Sequence, residues 1–250
     1  MKKTNMGQEN NIQIFDAGEL AKAVAEFIIK IANEAIDTSG RFVISLSGGH
    51  TPETLYSVLC TEPYQGRIAW DKTFVFWGDE RCVPSDNAQN NTRMAKIFLL
   101  DHVDIPQSNI YPVPVDLPPE KAGAAYENSI KQFFGSEEPC FDLILLGLGE
   151  NGHTASLFPG TDVLSEHTHL IKEVYVQEQS MYRITMTATL INQAGNIIFL
   201  VAGDSKSEIL NTVLTAPYQP DKYPAQLIKP VDGNLYWFVD SKAAALLNKR

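Results

Sequence analysis

The chain has 250 residues, 44% hydrophobic and 20% charged, a balance that builds a buried core and excludes a disordered polar chain. Its 20 basic and 30 acidic residues leave a net charge of −10, which argues against a nucleic-acid surface. No apolar run approaches the roughly 18 residues of a membrane span, and the polar opening MKKTNMGQENN lacks the apolar core of a secretory signal. Cys60, Cys82 and Cys140 are widely spaced and form neither a disulfide framework nor a metal knuckle. The expectation is a cytoplasmic protein with no metal and no cofactor, and with neither membrane nor nucleic acid as a partner.

Residues 1–11 lack periodicity and are expected to be loose. Leu20, Val24, Phe27, Ile28, Ile31 and Ala35 recur at helical spacing, and Gly40 ends that helix. Arg41–Leu46 reads as a strand, followed by a helix over about 52–60, a strand at Thr73–Trp77 and a helix around Thr92–Leu100. Tyr111–Pro119 holds four prolines and reads as a loop. Ala122–Phe134 is the next helix. Phe141–Leu146 is a nearly pure apolar strand of the kind that parallel sheets bury on both faces. Arg183–Thr187, Ile197–Val201 and Leu235–Val239 read as strands, with a helix after Asp204 and another at the C-terminus. Repeated strand–helix alternation predicts an α/β layered fold with a mostly parallel sheet, and no composition break divides residues 12–250.

In such sheets ligands bind beyond the carboxyl ends of the strands, and unusual residues stand there. After Leu46 comes Ser47-Gly48-Gly49-His50-Thr51-Pro52: two glycines allow close backbone approach, Thr51 suits an N-cap and Pro52 the first helical position. A helix N-terminus of this kind favours an anion, and the alternative is a plain tight turn. After Trp77 comes Gly78-Asp79-Glu80-Arg81, in which Arg81 can meet an anion with a forked pair of hydrogen bonds. Solvated surface charges are the competing reading. After Leu146, Gly147-Leu148-Gly149-Glu150-Asn151-Gly152-His153 matches the dinucleotide fingerprint G-x-G-x-x-G. That fingerprint needs a long helix, which Pro159-Gly160 forbids, so a dinucleotide site is rejected. A glycine turn that presents His153 remains, with neutral imidazole available as a base near pH 7. Arg183 and Lys206 add positive potential in an acidic chain, as a small anionic ligand requires. There is no Gly-x-Ser-x-Gly elbow, His167 and His169 lack companions for zinc, His102 reads as structural, and His50 is a candidate ligand contact.

Ser-Gly-Gly-x-Thr-Pro at 47–52, Gly-Asp-Glu-Arg-x-Val-Pro at 78–84, the run from Gly147 through Leu157-Phe158-Pro159-Gly160, and Arg-Ile-Thr at 183–185 resemble the 6-phosphogluconolactonases. The related glucosamine-6-phosphate isomerase/deaminase group shares the fold but continues after its Gly-His with Ile-Ala-Phe-Asn-Glu-Pro, where this chain has Thr154-Ala155-Ser156-Leu157-Phe158-Pro159. The resemblance covers about residues 12 to 245. It implies a modified Rossmann-type α/β fold and hydrolysis of 6-phospho-D-glucono-1,5-lactone to 6-phosphogluconate without metal or cofactor. By the same resemblance His153 is the base, and Arg81, Arg183 and Lys206 hold the substrate phosphate beside Ser47, Gly48 and Gly49. Asp79 orients a sugar hydroxyl or Arg81, or is only a surface carboxylate. Asn151 stands where many members carry Asp, leaving it to hydrogen-bond substrate or orient the loop. A sugar-phosphate isomerase/deaminase and a non-catalytic sugar-phosphate sensor are the competing functions.

Overall fold

A computed structural model describes residues 11–247. The strand β1 (Asn11–Phe15) is followed by α1 (Leu20–Ser39), whose apolar stripe Leu20, Val24, Ile28, Ile31 is buried. Gly40 closes α1 at φ 77°, a left-handed conformation that glycine adopts without a Cβ penalty. Then come β2 (Phe42–Leu46), α2 (His50–Leu59), β3 (Thr73–Trp77), β4 (Asp79–Arg81), α3 (Asn91–Phe98) and α4 (Pro119–Phe134). The chain continues with β5 (Leu143–Leu146), β6 (Ile171–Val176), β7 (Met181–Met186), α5 (Ala188–Ile191), β8 (Asn196–Val201), α6 (Ser207–Thr215) and β9 (Asn234–Asp240).

Two sheets share these strands. The larger is six-stranded in the order β1-β9-β8-β5-β2-β3, parallel at every pairing. All residues of β2 and β5 are buried, because the sheet is covered on both faces. The chain leaves β2 for β3 on one side and later returns to β5 on the other, so the order reverses between β2 and β5. That reversal opens a crevice at the carboxyl ends of the two strands. The smaller sheet, β4-β7-β6, is antiparallel, with Arg81 directly opposite Arg183. Helix α4 bridges the two: it packs on β6 and β7 while Phe133 meets Phe74 and Phe76 of β3.

Several expectations are corrected. Residues 1–10 lie outside the described residues, but Asn11, expected to be loose, opens β1 against β9. Helix α2 begins at His50 with Gly49 as its cap at φ 106°, so Thr51 is not the N-cap and Pro52 lies inside the first turn. Residues 241–247 form successive turns where a C-terminal helix was expected. The strands β1, β4 and β6 were not anticipated.

Candidate active site

The crevice at the strand reversal is a cavity of about 300 Å³. Ser47, Gly48, Gly49, Asp79, Arg81, His153, Arg183 and Lys206 all line it, together with Gln179. Asn151 does not line it and lies behind His153. His50 does not reach it either; its side chain is 94% exposed and paired with Glu53.

The loop after β2 is held by a buried tyrosine: the Tyr56 hydroxyl accepts from the Ser47 N–H at 3.1 Å and donates to its carbonyl at 2.8 Å. Among the described residues, no backbone carbonyl accepts from the N–H groups of Gly48, Gly49, His50 or Thr51. Free amides at a helix start carry partial positive charge and suit an oxyanion.

The turn after β5 leads into no helix. Gly152 at φ 82° reverses the chain, the Gly149 N–H donates to the His153 carbonyl at 2.8 Å, and a Cβ on Gly149 would overlap the imidazole at 2.0 Å. The glycines thus make room for the ring, which stacks on Phe158 at 4.0 Å. Asn151 Oδ1 accepts from both the His153 backbone N–H, at 3.2 Å, and His153 Nδ1, at 2.6 Å. Two donors converging on one atom identify it as the amide oxygen, so Nδ1 carries the proton and Nε2 keeps its lone pair. Nε2 has no hydrogen-bond partner among the described residues. Burial, reinforced by Arg183, Lys206 and Arg81 and opposed by Asp79, pushes the imidazole down to about 4. The ring is therefore neutral at pH 7.

The cations come from elsewhere. Arg81 and Arg183 are cross-strand neighbours on β4 and β7, and each has a buried Nε without a partner among the described residues. Arg81 Nη1 donates to the Gln89 carbonyl at 2.6 Å. Asp79 accepts from the Ser156 hydroxyl at 2.5 Å and from Arg183 Nη1 at 3.3 Å, and Arg183 Nη2 donates to Gln179. Asp79 therefore holds Arg183, not Arg81. Lys206 sits on the loop opened by Gly203, whose N–H is fixed by the Asp240 carboxylate at 3.0 and 3.1 Å, and its ammonium lies 3.9 Å from Glu150.

Ser156 and Gln179 were missed from the sequence. Ser156 lies within the run from Gly147 to Gly160, where nothing local marks its contact with Asp79, and Gln179 lies in the turn between β6 and β7, of which β6 has no clear strand pattern. A larger cavity of about 570 Å³ lies on the Phe158 side and includes Asn151 but none of the three cations nor His153. Among the described residues no cluster of three or more His, Cys, Asp or Glu is placed to hold a metal ion, and no helix is long and apolar enough to cross a membrane.

A mainly parallel α/β sheet with an imidazole whose Nε2 is free and three cations at its strand reversal suits a small anionic substrate. Residues 15–237 match the family of glucosamine-6-phosphate isomerases and 6-phosphogluconolactonases, and the chain belongs to that family. It is 44% identical to a 6-phosphogluconolactonase of Synechocystis over 84% of this chain and 86% of that one. It is 40% identical to one of Nostoc over 89% and 92% respectively. A solved 6-phosphogluconolactonase from Trypanosoma cruzi superposes with a TM-score of 0.85 at 28% identity, covering 97% of this chain and 98% of that one.

Proposed function

We propose that this chain is a cytoplasmic lactonase, a single domain over residues 12–250, that hydrolyses 6-phospho-D-glucono-1,5-lactone to 6-phospho-D-gluconate in the oxidative pentose phosphate pathway. The observation that carries the site assignment is the shared cavity: a neutral imidazole with a free Nε2 faces Arg81, Arg183 and Lys206. The two guanidinium groups and the ammonium hold the 6-phosphate, with the Ser47–Gly49 loop beside it. Nε2 of His153 takes a proton from water as that water attacks C1 of the lactone. The carbonyl oxygen becomes an oxyanion, stabilised by backbone N–H groups of the glycine loops. Collapse of the tetrahedral intermediate breaks the bond from C1 to the ring oxygen, and protonated His153 returns its proton to that oxygen. The acid product leaves as the carboxylate. Asn151 orients the base and Asp79 orients Arg183, each through the hydrogen bonds described above.

The test is lactone hydrolysis at neutral pH, with the spontaneous rate subtracted, for the wild-type chain beside His153→Ala. The variant is expected to lose about 10²–10⁴-fold in kcat. Full activity in the variant would sink the assignment of the base. Release of ammonia from glucosamine 6-phosphate would favour the isomerase/deaminase side of the family, and binding of 6-phosphogluconate without turnover would favour a sensor.

A further inference from the structure

Behind the cavity, and lining none of it, lies a buried pair that touches two of its walls. Glu80 is 0% exposed and Asn91 is 2% exposed. The Glu80 carboxylate accepts from the backbone N–H groups of Arg81 at 2.8 Å, Asn91 at 2.7 Å and Thr92 at 2.8 Å, and from the Thr92 hydroxyl at 3.0 Å. Those contacts clamp β4 onto the first turn of α3. The Asn91 side chain reaches the other way: Nδ2 donates to the Asp79 carbonyl at 2.9 Å and lies 3.4 Å from its carboxylate. Its Oδ1 occupies the place where a Cβ on Gly48 would stand, 1.9 Å away. Gly48 does not have a left-handed φ, so its missing side chain answers to this contact and not to backbone conformation.

We infer that Glu80 and Asn91 are positioning residues: together they form a brace that fixes the spacing between the glycine loop after β2 and the strand bearing Asp79 and Arg81. The inference rests on the lactonase reading of the cavity. It concerns how phosphate-binding groups are held, because neither residue touches the space where substrate binds. A shift of one wall by a fraction of the length of a bond degrades the grip without unfolding the sheet.

The experiment is a double-mutant cycle on Gly48→Ala and Asn91→Ala, with kcat and KM for the lactone read on each folded protein. Gly48→Ala alone forces a methyl into the amide and is expected to lower kcat/KM about 10²-fold. Asn91→Ala alone removes the backing of the loop and one bond to Asp79, and is expected to cost about tenfold, mainly as a rise in KM. In the double variant the methyl enters vacated space, so kcat/KM returns to the level of Asn91→Ala. Losses that simply multiply, or an Asn91→Ala with wild-type kcat and KM, would overturn the brace. Asn91→Ser, a smaller cut, replaces the alanine variant if near-UV circular dichroism shows that it does not fold. Inorganic phosphate binding is titrated on the same proteins. If the wild-type chain turned over no lactone, the functional reading would fail while the brace would stand or fall on phosphate affinity.

Discussion

The two sheets of this molecule supply different halves of the chemistry. The parallel sheet ends its central strands, β2 and β5, in glycine turns that bring backbone amides and the imidazole of His153 to the crevice. The antiparallel sheet contributes Arg81 and Arg183, side by side across β4 and β7, with Asp79 and Gln179 steering the second of them. The parallel sheet brings the imidazole, the glycine-loop amides and Lys206 to the crevice, and the antiparallel sheet brings the two guanidinium groups. Ser156 joins them, since its backbone N–H donates to Thr185 of β7 at 3.1 Å and its hydroxyl to Asp79. Because the imidazole and the two guanidinium groups stand on different sheets, His153→Ala and the arginine variants below should separate bond-making from binding.

On the antiparallel side the largest effect is expected from Arg183→Met. It removes one guanidinium of the phosphate grip and leaves Asp79, 7% exposed, without its counter-charge. Breaking a buried pair from one side costs about 3–5 kcal/mol of stability in other proteins. KM for the phosphorylated lactone should rise about 10²-fold, with kcat far less affected, while the melting temperature falls. Arg81→Met should raise KM with a smaller loss of stability, because Arg81 donates to the Gln89 carbonyl and leaves no buried carboxylate behind. If either arginine variant lost kcat and kept KM, the division between the two walls would be wrong.

The same contrast separates what the sequence discloses from what it hides. The inner strands of the parallel sheet read as apolar runs, and Thr73–Trp77 is predicted with its observed bounds, whereas the exposed edge strand β1 carries no such run. The turns that follow them mark the crevice, which is why His153 and the glycine loop are legible. In β4 the residues Asp79, Glu80 and Arg81 have no strand-like composition. They are extended because the Glu80 carboxylate accepts from N–H groups of α3 and Arg81 is paired with β7, contacts between distant positions that no local pattern carries. For the same reason Asp79 is read with Arg81, its near neighbour in sequence, when its partner is Arg183 on another strand. Thr51 fits a helix cap by residue type, but Gly49 at positive φ lets the helix start earlier.

On the parallel-sheet side, Asn151→Asp should sharpen the role of the base. A carboxylate in place of the amide oxygen would lie 2.6 Å from Nδ1 and favour the imidazolium. The acid limb of kcat/KM should then move up by about one to three pH units, and KM for the lactone at neutral pH should change little. An unmoved limb would mean that His153 is not the group whose protonation ends activity.

The smallest effect is in the wild-type protein itself. With His153 pushed down to about 4, the free enzyme keeps its neutral base through pH 6.5, where an ordinary histidine is half protonated. The kcat/KM profile should therefore stay flat as pH falls through 6 and drop only near the depressed value. Three of the forces that hold the imidazole neutral are the charges of Arg183, Lys206 and Arg81, and a bound phosphate dianion cancels much of that field. In the complex the imidazolium becomes easier to form. The acid limb of kcat should lie at higher pH than that of kcat/KM, and replacing Arg183 should move the kcat/KM limb up, since one of the charges that keep the free enzyme's imidazole neutral is then gone. Coincident limbs would show that the base does not sense the grip.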